Sequence, residues 1–186
     1  MRAKRIILNH YSKYGIEDRI NYIFSNFDQM EGKLKSFKEE LIYEISEEKL
    51  STRKSKVLDI GIRTQSSDYS DITANTAIEL GMIADHIESR NLSEELLEDV
   101  ANPKNIVEKL DAYWNVCGEY KIFKMHLQDL DLEDRKTLLS YLYRRKTIED
   151  IALDLGIEND SARKRIYRMK KQLEATLKPY FTRKLA

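Results

Sequence analysis

Residues 147–173 read TIEDIALDLGIENDSARKRIYRMKKQL, and this stretch decides the C-terminal fold. Two helical patterns flank a single glycine. Thr147 can cap the first helix, with Asp150 three residues on closing a capping box. Ile148, Ile151, Ala152 and Leu155 recur at the spacing that gives a short helix one apolar face. Ala152 is small where two crossing helices come close. Gly156 follows the last apolar residue, where a helix commonly ends in a left-handed residue that glycine adopts cheaply. Ile157 then enters a small core, and Asn159, Asp160 or Ser161 caps the next helix. Ala162, Ile166, Met169 and Leu173 form its inner stripe, and most of its Arg and Lys residues fall outside that stripe.

One more apolar helix precedes the pair, over residues 132–145, opened by Asp131 with Asp134 as a capping box. Three helices then share one core of Leu132, Leu138, Leu139, Leu142, Ile148, Ile151, Leu155, Ile157, Ile166 and Met169. A basic helix face by itself is most often only solvated. With this turn chemistry and this third helix, the reading is a helix-turn-helix, which sets a basic recognition helix in the major groove of double-stranded DNA. The residues expected to face DNA are Asn159, Ser161, Arg163, Lys164, Tyr167, Arg168 and Lys171.

Charge agrees with that expectation. The chain is neutral, with 32 basic and 32 acidic residues. Residues 132–186 hold 14 Lys and Arg against 8 Asp and Glu, and residues 1–131 hold 18 against 24. Opposite signs in the two parts suggest a basic nucleic-acid-binding end and an acidic remainder suited to self-association or protein contact.

LQDLDLEDR (127–135), LLSYLY (138–143) and the stretch quoted above together resemble region 4 of the sigma-70 family. Nothing in the chain matches sigma region 2. The nearer likeness is to stand-alone, sigma-region-4-like transcriptional regulators of phages and prophages, the late-gene activators of the RinA and ArpU type. Residues 60–79, IGIRTQSSDYSDITANTAIE, resemble a stretch found in such proteins. The chain departs from the region-4 pattern at Glu158, where Ser or Thr is usual, and at Ala162, where Val is usual. The resemblance implies promoter or operator DNA as a partner, and RNA polymerase as a second one.

The N-terminal third carries a separate signal. Ile16, Ile20, Ile23, Phe27, Met30, Leu34, Phe37 and Leu41 step alternately by four and three residues, a heptad seam. That seam has two uses: a long coiled-coil-like helix that forms a homodimer, or packing onto the rest of the same chain. Residues 53–70 read as the one long break, with a basic start and a polar, loop-like end. Residues 71–90 resume helical periodicity through Ala74, Ala77, Ile78, Met82 and Ile87, and a short helix follows over 93–100. Asn102 followed by Pro103 reads as a cap and a first-turn proline.

The expected architecture is therefore all-α in three parts. Residues 1–70 form a long N-terminal helix and linker for oligomerisation or partner contact. Residues 71–128 form middle helices, and residues 129–186 the helix-turn-helix. Six Gly and two Pro among 186 residues suit helices joined by short turns.

Other function classes find little support. His10, His86 and His126 lie far apart without partners at metal-ligand spacing, so neither a metal nor a cofactor is expected. No glycine-rich phosphate loop occurs, and no nucleophile stands at a productive spacing from a base, so an enzyme is not expected. A single Cys fits a reducing cytoplasm, and the resemblance to phage regulators implies that of a bacterial host cell. No apolar run approaches the roughly 20 residues of a membrane span, and the run after the basic start is too short for a signal peptide. Two alternatives to a DNA-binding regulator stay open: a polymerase- or protein-binding factor that reads no bases, and a small-terminase-type DNA-recognition subunit.

Overall fold

The computed structural model describes residues 8–59 and 72–181, with side chains for 8–55 and 75–181. The described residues are all-helical, without strands. A 3-10 segment, Leu8–Lys13, precedes α1 (Ile16–Asn26). Next come α2 (Met30–Asp59), α3 (Ile72–Ser89), α4 (Glu94–Leu97), α5 (Pro103–His126), α6 (Leu132–Leu142), α7 (Ile148–Leu155) and α8 (Asn159–Phe181).

The N-terminal seam is not one long helix. Asn26 leaves helical geometry at φ −120° and ψ 12°, and a 3-10 turn, Phe27–Gln29, separates α1 from α2. The cause is local. Asn26 Nδ2 donates to the Tyr22 carbonyl at 2.8 Å, which offers the backbone an alternative to the next helical bond. The seam is also covered within the chain: Ile20, Ile23, Phe27, Met30, Phe37 and Leu41 are all 3 % exposed or less. It is an intramolecular core seam, not a free coiled-coil face. Residues 53–59, expected to open a long break, belong to α2. Residues 60–71, which hold the rest of that break and much of the softer resemblance, lie outside the described residues.

The chain divides into two compact units, residues 1–33 with 114–186 and residues 34–113. The first unit unites both ends of the chain because α1 packs on α8. Lys178 pairs with Glu17 at 2.8 Å, and Arg19 donates to the Phe181 carbonyl at 2.7 Å. Phe27 is the centre of its aromatic cluster, edge-on to Tyr120 (5.7 Å) and Tyr143 (5.1 Å) and tilted against Phe123 (5.5 Å). Beside it lies a buried polar knot. Tyr11 donates to Glu119 at 2.8 Å, and Arg19 forms an ion pair with the same carboxylate.

In the second unit Phe37, Leu41, Ile45, Ile83, Ile87, Leu96, Ile106 and Leu110 are buried. Phe37 meets Tyr113 edge-on at 5.6 Å. The inner stripe of α3 is Ile83 and Ile87. Ile78 and Met82, expected on that stripe with Ile87, are 62 % and 44 % exposed. α4 is only four residues long, capped by Ser93, whose Oγ accepts from Leu96 N–H at 3.2 Å. The Asn102 side chain caps α5, accepting from Asn105 N–H at 3.3 Å, with Pro103 in the first turn.

Candidate nucleic-acid interface

Local chemistry positions α7 and α8. Thr147 and Asp150 form the expected capping box: Asp150 N–H donates to Thr147 Oγ1 at 3.2 Å, and Thr147 N–H to Asp150 Oδ2 at 2.8 Å. The Thr147 backbone N–H, then its hydroxyl, hold the Asp150 carboxyl below its ordinary pKa. Gly156 is left-handed at φ 63° and ψ 34°. Its N–H donates to Leu153 at 3.2 Å and that of Ile157 to Ala152 at 3.0 Å, the two crossed bonds of a Schellman turn. α7 packs on α8, and Ala152 and Ala162 are both buried.

Three expectations about this region fail. Asp131 stands at the α6 N-terminus but its side chain makes no capping bond. Asp134 is instead held by Arg165, at 2.6 and 2.9 Å, so it ties α6 to α8. The N-cap of α8 falls on Glu158, whose carbonyl accepts from Ala162 N–H at 3.0 Å, so Asn159, Asp160 and Ser161 lie in the first turn. Leu132 and Ile157 are 58 % and 37 % exposed and stand at the edge of the core, not inside it.

Ala162, Ile166, Met169, Leu173, Leu177 and Phe181 form the buried stripe of α8. Asn159, Ser161, Arg163, Lys164, Tyr167, Arg168 and Lys171 are all exposed. They are not equivalent. At about 100° per residue, Lys164, Arg168 and Lys171 lie within about 60° of one another, opposite the stripe. Arg163 falls on its flank and approaches Asp160 only at 3.9 Å, and Asn159, in the exposed first turn, lies in line with the stripe itself. Lys171 bonds to Glu174 at 2.8 Å, which raises its pKa. Lys164 and Arg168 have no ion pair among the described residues.

The remaining cations of α8 serve the fold. Arg165 bridges to Asp134 and, at 3.2 Å, to Glu133. Lys170 is half-buried, with Nζ 4.7 Å from the Tyr141 ring centre and 5.4 Å from that of Phe24. Burial lowers its pKa. Arg183 and Lys184, which contribute to the C-terminal excess of charge, lie outside the described residues.

One cationic element was not picked out from the sequence. Arg144, Arg145 and Lys146 are exposed in the turn between α6 and α7. Arg144 is left-handed at φ 55° and makes a second Schellman turn, its N–H bonding to Tyr141 at 3.0 Å and that of Arg145 to Ser140 at 2.9 Å. The signal was the basic run directly before the Thr147 cap.

Among the described residues, no group of three or more His, Cys, Asp or Glu side chains is placed to hold a metal ion. No described helix is long and apolar enough to cross a membrane. No protein-family model, curated protein or solved structure matches this chain.

Proposed function

We propose that the chain is a sequence-specific DNA-binding transcription regulator in which α7 and α8 form a helix-turn-helix and α8 is the recognition helix. The observation that carries this reading is the division of labour on α8. Arg165 and Lys170 are engaged by side chains of the fold, while Lys164 and Arg168 stand opposite the buried stripe without acidic partners. A helix bearing free cations on the face away from its core suits a groove lined with phosphates and base edges. Arg168 and Lys164 then contact bases, with Ser161 and Tyr167 beside them and Lys171 toward the backbone. The likeness of residues 127–173 to sigma region 4 supports the same reading and suggests a phage or prophage regulator.

Protein contact without base readout is the second reading. Ile78 and Met82, one turn apart on α3 and both exposed, favour it, because adjacent exposed apolar side chains mark contact surfaces. Capture of fragmented bacterial and prophage DNA by the full chain, followed by sequencing, tests the first reading. One recurrent motif is expected. Recovery of random fragments, or of none, favours the second.

A further inference from the structure

The α6–α7 turn and the middle of α8 enclose a cleft of about 380 Å³. Lys170, Tyr141, Phe24, Arg144, Lys146 and Thr147 line it. Three of these six are cations and none is an acid. Lys170 enters between two aromatic ring faces and has no carboxylate partner among the described residues. Arg144 uses its Nε on Asp28 at 3.2 Å and one terminal nitrogen on the Ser25 carbonyl at 3.3 Å. A guanidinium carries five N–H donors, so donors remain for a ligand. Lys146 pairs with Asp154 and keeps its side chain 44 % exposed. Counting Asp28 and Asp154, the group is still one positive charge in excess.

We infer that this cleft is a seat for a phosphate group, and that the group it takes is a backbone phosphate of bound DNA. A tetrahedral oxyanion suits the cleft because it accepts from several converging N–H donors at once. It also supplies the negative charge that the ammonium of Lys170 lacks. Burial lowers the pKa of this unpaired ammonium, so an anion in the cleft should raise it again. The choice of DNA as the source rests on the reading of α7 and α8 as a helix-turn-helix: Arg144, Lys146 and Thr147 stand exposed at the start of α7, which packs on α8, while Lys170 reaches the cleft from the core side of α8. The contact carries no base information and adds affinity uniformly.

The test uses the full chain and two variants. Lys170→Met keeps an apolar stem against Phe24 and Tyr141, and Lys146→Gln alters a half-exposed side chain that should not affect folding. Each is titrated with a matched and a scrambled duplex at several salt concentrations, beside Arg168→Ala. Each cleft variant should flatten the slope of log affinity against log salt by about 0.9, equally on both duplexes. Inorganic phosphate, compared with chloride at equal ionic strength, should raise the melting midpoint of the wild type more than that of Lys170→Met. Unchanged slopes in both variants, with Arg168→Ala still impaired and no phosphate effect, overturn the seat and leave the DNA reading intact. A phosphate effect with unchanged slopes supports the seat but overturns DNA as its source. If the wild type binds no duplex, the DNA reading fails, and the phosphate arm alone decides whether the cleft takes free phosphate.

Discussion

Glu119→Gln should remove most of the pH dependence of stability between pH 5 and 8. The Glu119 carboxylate is 2 % exposed, accepts from Tyr11 and pairs with Arg19. Burial dominates and pushes its pKa from 4.5 up to about 7, while Arg19 and Tyr11 pull it back. An acid raised in the folded state binds a proton there that the unfolded chain releases between about 4.5 and about 7. Stability therefore falls as pH rises through that window and levels off above it. At about 1.4 kcal/mol per pH unit, the loss is on the order of 3 kcal/mol. Gln keeps one carbonyl acceptor, for Arg19, turns its NH2 toward the Tyr11 hydroxyl, which can accept, and does not ionise. Urea unfolding of both proteins at pH 5, 6, 7 and 8 measures the effect. Wild-type stability should fall across the series while the variant stays nearly level. Equal slopes in the two proteins would refute the argument and mean that Arg19 keeps Glu119 ionised throughout.

Three further outcomes follow from the packing. Gly156→Ala should cost about 1 kcal/mol in thermal melts, because φ 63° strains any Cβ although nothing lies within 4 Å of one there; Asn should recover part of the loss. Phe27→Ala should cost about 3–5 kcal/mol, as for other buried aromatics, without changing the mass found by light scattering; a wild-type dimer that dissociates into folded monomers on this change would return the seam to its coiled-coil use. Residues 128–186 alone should show less helix by circular dichroism than they contribute to the full chain. Leu177 and Phe181 are 0 % and 1 % exposed, and the end of α8 packs on α1; a fragment melting like the full chain would overturn that dependence.

What the sequence revealed depended on how local the physics was. The capping box of Thr147 and Asp150, the left-handed Gly156, the cap at Asn102 and the inner stripe of α8 are set within a few residues and were legible. The break at Asn26 was not, because the heptad spacing continues through the 3-10 turn and hides it. The partner of the seam was equally hidden, since burial depends on residues about a hundred positions away, such as Tyr120 and Phe123. Asp134 looked like a cap because Arg165, its partner, lies 31 residues on. At the candidate site, exposure of all seven α8 residues agrees with their spacing. Their ranking needed geometry: Arg163 turns to the flank, and Lys164 and Arg168 stand opposite the core. Arg144 escaped notice because its left-handed position is one usually given to glycine.

The most direct test of the DNA reading is the affinity of the full chain and of Arg168→Ala for the recovered motif and a scrambled duplex, at about 50 mM salt. The exposed, unpaired Arg168 should supply one base contact, worth about 1–3 kcal/mol. The variant should therefore bind the motif roughly 5- to 150-fold more weakly and the scrambled duplex nearly as well as the wild type. A wild-type chain that binds neither duplex, or a variant with wild-type affinity for both, would contradict the recognition role of α8.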